Sequence, residues 1–122
     1  MGLWLGEWAE AGKNNVANLD REFEMRTGLD DSQVLLAWYG GGLYEGNAFV
    51  LFEKDGRLYE VNAGHCSCSG LEGQWDPEET SVSALRYRVA NGTLGHSVIF
   101  RENYFADELI EVLDEWERRK SG

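Results

Sequence analysis

Apolar and polar positions alternate most clearly between residues 47 and 62. Ala48, Val50 and Phe52 fall on one side of an extended chain, and Phe49 and Leu51 on the other. A strand that is apolar on both sides belongs at the centre of a sheet or under cover on both faces. Lys54-Asp55-Gly56 supplies a turn, and the return run over 57–62 sets Leu58 and Glu60 against Tyr59 and Val61. Upstream, QVLLAWY over 33–39 is short, apolar and followed by three glycines, which favours a strand over a helix. Residues 33–39, 47–53 and 57–62 thus form an antiparallel meander, with a short fourth strand available over 96–100.

Three segments carry a helical period instead. Val16, Leu19 and Phe23 follow the capping candidates Asn14 and Asn15 and end near Thr27-Gly28, giving a helix over about 15–27. Thr80 or Ser81 caps a helix over about 81–90 whose apolar positions are Val82, Leu85 and Val89, stopped at Asn91-Gly92. Over 103–119, Phe105, Ala106, Leu109, Ile110, Val112, Leu113 and Trp116 share one sector. Arg118, Arg119 and Lys120 close that helix, where its dipole favours cations. Trp4 and Trp8, one helical turn apart, predict a further short helix near the start, with an exposed partner patch as the alternative. The expected fold is α+β: a three- to four-stranded antiparallel sheet with helices packed on it, one domain over 1–122.

Composition changes this picture mainly through charge. Twenty-two acids against eleven bases give a formal net charge of −11, which opposes direct contact with nucleic acid and with anionic membranes. The expected partner is a protein with a basic surface. No apolar run approaches membrane-spanning length, and MGLWLGEWAE lacks a cationic start and apolar core of a leader. Gly2 invites N-myristoylation, but Gly6 stands where that motif needs Ser or Thr. Two cysteines separated by one residue make no extracellular scaffold, so reduced thiols and a cytoplasmic setting are expected.

Candidate chemistry gathers in the aperiodic stretch over 63–80, with His65, Cys66 and Cys68. As a zinc site these three residues would need a fourth ligand, for which His96 is available. Against it, cysteines in structural zinc sites are usually spaced by two residues or more. A Cys66–Cys68 disulfide is opposed by the alternation of side chains along an extended chain. As a nucleophile either cysteine would take His96 as base, giving a cysteine-dependent hydrolase, yet the acidic loop raises rather than lowers a thiol pKa. Space-filling thiols are the commoner use, so no catalytic residue and no cofactor is assigned. Trp38, Tyr39, Tyr44 and Trp75 are candidates for lining a ligand cleft, although core packing is the more frequent role of such residues.

The remaining signal is acidic. Asp107, Glu111 and Asp114 form a stripe flanked by Glu108 and Glu115, and the loop adds Asp76, Glu78 and Glu79. Such carboxylates can imitate a row of phosphates before a basic groove, while a solvated helix face is the ordinary reading of the stripe alone.

The run from YEGNAFVLFEKDGRLYEVNAG through HCSC to QWDPEET resembles a family of small acidic bacteriophage accessory proteins of unassigned function, over about a third of the chain. The resemblance implies action in the cytoplasm of an infected bacterium and supplies no catalytic residues. Small acidic phage proteins often block host factors, CRISPR effectors and restriction enzymes included. By that analogy the chain is expected to be a non-enzymatic inhibitor of a nucleic-acid-handling defence protein.

Overall fold

In a computed structural model, which describes residues 2–41, 45–66, 70–96 and 103–121, the chain divides into two compact units, Met1–Glu79 and Thr80–Gly122. The first is built on a five-stranded sheet whose strands lie in sequence order: β1 (Leu3–Gly6), β2 (Val34–Gly41), β3 (Glu45–Lys54), β4 (Arg57–Cys66) and β5 (Glu78–Thr80).

The expected meander is its centre. β2, β3 and β4 pair antiparallel, with Trp38 opposite Phe49 and Phe52 opposite Tyr59. Both hairpin strands run longer than their apolar stretches, because backbone pairing continues through the polar and glycine positions 45–47 and 62–66. The β3–β4 connection has two residues, with Asp55 at φ 55° and Gly56 at φ 79°. Two successive positive φ values make a type I′ turn, whose twist matches that of the flanking strands. Both faces of β3 are buried. Ala48, Val50 and Phe52 join Ala37 and Val61 in a core with Trp8, Val16, Leu19, Phe23 and Leu71. Phe49 and Leu51, on the other face, are buried as well. Glu60, beside Leu51, is 5% exposed and accepts a hydrogen bond from Asn62 Nδ2 at 2.7 Å.

The sheet is mixed and five-stranded, not antiparallel with three to four strands. The opening segment is the reason. Instead of a helix, residues 3–6 add to β2 as a parallel strand, with Leu3 opposite Leu36 and Gly6 opposite Tyr39. Gly6 then turns the chain at φ 66° into a single 3-10 turn, Glu7–Ala9. A Cβ on Gly6 would lie 2.1 Å from the Tyr39 carbonyl oxygen, so this approach admits only glycine. Trp8 is fully buried, and Trp4 packs against the same core. The indoles are therefore core, not a partner patch.

The helix α1 (Val16–Glu22) is shorter than its predicted span. Asn15 Oδ1 accepts from the Asn18 N–H at 2.9 Å, and Asp31 Oδ1 takes the Val16 N–H at 2.7 Å, satisfying two amides that the first turn leaves open. Termination comes at Glu24, which has φ 54°, rather than at Gly28. Asp20 Oδ1 accepts from the Thr27 N–H at 3.0 Å and holds the chain in its new direction.

The second unit contains α2 (Val82–Ala90) and α3 (Ala106–Ser121). α2 matches its expected span, with Ser81 Oγ accepting from the Ala84 N–H at 3.1 Å. For α3, Asn103 Oδ1 caps the first turn by accepting from the Ala106 N–H at 2.7 Å. Its apolar sector is buried as expected, apart from a half-buried Ile110. Trp116 carries Lys120 Nζ at 4.7 Å and Arg119 at 5.8 Å over its ring. Of the fourth strand over 96–100, only His96 falls among the described residues, in a single bridge to Asn103.

Gly6→Ala combines the clash with a left-handed backbone and is expected to destabilise the protein by more than about 2 kcal/mol. Gly12→Ala, with positive φ but open space around it, should cost only about 1 kcal/mol. Urea titrations of the two variants give the comparison, and similar losses would show that the β1–β2 approach is not the constraint.

Candidate functional sites

The acids singled out in the sequence fall into different units. Asp76, Glu78 and Glu79 lie in the first and are exposed, with Glu79 Oε1 3.4 Å from Arg57 Nη1. The helix acids belong to the second. There Asp107, Glu111 and Glu115 are exposed, with no ion pair among the described residues. Asp114 is different: its Oδ1 lies 2.7 Å from Arg86 Nη2 on α2, and that same nitrogen is 2.6 Å from Glu117 Oε1. These hydrogen bonds, that to Asp114 first, raise the Arg86 pKa above its usual value. Glu108 is half-buried, and its Oε1 has no hydrogen-bond partner among the described residues. The outward row is thus Asp107, Glu111 and Glu115, spaced by four residues. Asp114 ties α2 to α3, a pairing without a local sign in the sequence because Arg86 lies 28 residues away.

The His-Cys stretch starts where β4 ends. His65 pairs with Gly46 and Cys66 with Glu45 along the backbone. Cys68 lies outside the described residues, and His96 belongs to the second unit. Among the described residues no group of three His, Cys, Asp or Glu side chains is placed to hold a metal ion.

Downstream, Gln74 pins the loop to the sheet. Its Oε1 accepts from the Gly64 N–H at 3.0 Å, while its Nε2 donates to the Gly64 carbonyl at 2.6 Å and to the Gly70 carbonyl at 2.9 Å. One side-chain amide thereby stands in for a neighbouring strand at Gly64 and closes the loop at Gly70. A glutamine in a glycine-rich stretch carries no periodic signal that would mark it in the sequence.

Beside this loop is a groove of about 440 Å³, lined by Thr27, Gly28, Leu29, Phe52, Lys54, Asp55, Tyr59, Trp75 and Pro77. The Phe52 and Tyr59 rings stack across the hairpin at 5.5 Å and 18°. Trp75 stacks on Phe52 at 5.8 Å and 14°, and meets Phe23 edge-on at 5.1 Å. Of the four aromatics proposed for a cleft, Trp75 is in the groove. Trp38 is buried in β2, Tyr39 packs 5.1 Å from Trp8, and Tyr44 lies outside the described residues. Burial, followed by the charges of Glu22 and Glu7, raises the Tyr39 pKa.

No family model, curated protein or solved structure matches the chain. No helix among the described residues is long and apolar enough to cross a membrane.

Gln74→Ala removes the partner of both Gly64 backbone groups. It should cost about 1–3 kcal/mol in urea unfolding and speed proteolysis between residues 66 and 73. Unchanged stability and cleavage would mean that Gln74 is not what holds the loop.

Proposed function

We propose that this protein is a non-enzymatic inhibitor of phage type, acting in the bacterial cytoplasm, whose α3 carboxylates occupy the basic nucleic-acid groove of a host defence protein such as a CRISPR effector. The observation that carries this reading is the exposed row Asp107–Glu111–Glu115 on α3, without ion-pair partners among the described residues. Residues four apart rise about 6 Å along a helix axis. That spacing is within a Debye length of about 8 Å at physiological salt, so the row presents a shared field rather than isolated charges. Its linear density is about half that of one nucleic-acid strand, at one phosphate per about 3.4 Å. The net charge of −11 adds a long-range attraction toward cationic surfaces. The phage setting comes from the resemblance of the hairpin, HCSC and QWDPEET run.

The row acts by exclusion: carboxylates seated among the Lys and Arg of a groove displace the phosphates that would otherwise bind there. No proton transfer or covalent step is involved. Asp114 is not part of the contact, because it holds Arg86.

The test uses the parent chain and a variant carrying Asp107→Lys, Glu111→Lys and Glu115→Lys as baits in a bacterial lysate, with partners identified by mass spectrometry. The parent should retain a nucleic-acid-binding protein at low salt, release it at high salt and compete with nucleic acid for it. Three lost surface pairs at about 0.5–1 kcal/mol each predict binding weaker by about tenfold to a hundredfold. An unchanged circular dichroism spectrum would show that the fold survives. A folded variant that retains the same partner as well as the parent would exclude the α3 row as the contact.

A further inference from the structure

We propose that the groove of the first unit binds a proline-rich segment carrying cationic residues, in the polyproline II conformation. The inference does not depend on the α3 row, since every groove residue belongs to Met1–Glu79.

The three rings of Tyr59, Phe52 and Trp75 stand nearly parallel in a file. Phe52 is buried between its neighbours, whereas Tyr59 and Trp75 are half-buried and keep part of their surface in the groove. Three side chains around them offer donors, and Asp55 is the carboxylate of the lining. Lys54 Nζ, Tyr59 Oη and Trp75 Nε1 have no hydrogen-bond partner among the described residues. An ammonium and an indole N–H can only donate, and a phenol can donate as well as accept. The occupant that fits these rings and donors has flat apolar faces and free acceptors.

Proline in an extended segment meets each requirement. Its ring packs on aromatic side chains, its tertiary amide brings a carbonyl and no N–H, and the polyproline II helix leaves those carbonyls free for outside donors. The stiffness of that helix also lowers the entropy lost on binding. A neutral carbohydrate has no cation to set beside Asp55. Charge selects the flanks of the ligand. Asp55 lines the groove, and Asp76 is exposed between Trp75 and Pro77. Two acids against Lys54 favour a segment with arginine or lysine beside its prolines, and the net charge of −11 disfavours an anionic one.

The test titrates the full ¹⁵N-labelled chain with a capped oligoproline of about nine residues, three turns of the helix, with arginine at each end. The Trp75 indole signal, assigned through Trp75→Phe, and the Lys54 and Asp55 amides should shift saturably. Tyr59→Phe and Lys54→Met remove one donor each with little change in packing. Each should weaken binding by about fivefold while the rest of the spectrum stays in place. Asp55→Asn should bring the affinity for the arginine-flanked peptide toward that for the uncharged one. Three results would overturn the proposal. One is the absence of saturable shifts. Another is equal shifts from an arginine-flanked Gly-Ser peptide, which would reduce the effect to charge. The third is shifts at Trp75 with a maltooligosaccharide or inorganic phosphate but not with oligoproline.

Discussion

The two-residue turn at Asp55-Gly56 is the constraint on which the first unit depends. Register in a sheet is usually enforced because a slip by one residue moves apolar side chains into water. β3 lacks that safeguard: Ala48, Val50 and Phe52 on one face and Phe49 and Leu51 on the other are all buried. Its own pattern does not say which face is which. The type I′ turn removes the ambiguity by setting Lys54 opposite Arg57, from which Phe52 meets Tyr59 and Leu51 meets Glu60. The aromatic core, and the separation of Glu60 from it, follow from that one junction.

The groove inherits its geometry from the same place. Lys54 and Asp55 belong to the turn, and Phe52 and Tyr59 are the nearest cross-strand pair on the core face. Of the three stacked rings Trp75 comes from outside the hairpin, and Gln74, one residue earlier, fastens that stretch to Gly64 at the far end of β4. Local hydrogen bonds in a glycine-rich loop thus bring an indole onto a platform made by distant residues. The acidic row of the second unit has a separate origin, in the Asn103 cap and the buried apolar stripe of α3. The chain therefore carries two surface features of different character, an exposed row of carboxylates and a groove of aromatic rings flanked by Lys54 and Asp55.

Much of this was legible in the sequence where the signal is local. The alternation over 47–62, Asp-Gly at the turn, Ser81 before α2 and the stripe of α3 each state a structure within a few residues. What escaped is non-local. Trp4 and Trp8 fit a helical period, yet Gly2 and Gly6 bracket a strand whose partner begins about thirty residues later, and a four-residue parallel strand has no period of its own. α1 stops before Gly28 because Glu24 turns left-handed and Asp20 holds the Thr27 amide, while the glycine expected to stop it comes later. The acidic stripe was visible, but the division between free and engaged carboxylates was not, since it depends on Arg86 reaching Asp114 and Glu117. The groove needed Trp75 placed against the hairpin, which no spacing in the sequence encodes.

Native-state amide hydrogen exchange tests the central claim, that the turn-fixed β2–β3–β4 ladder is what the rest of the first unit is built upon. The interior amides of these strands, over 35–38, 48–52 and 58–61, should exchange only through global unfolding. Those of β1 and β5 should open at lower free energy. Interior amides of β3 and β4 that exchange by a local opening, while β1 or α1 stays protected, would contradict the account and place the organising element elsewhere.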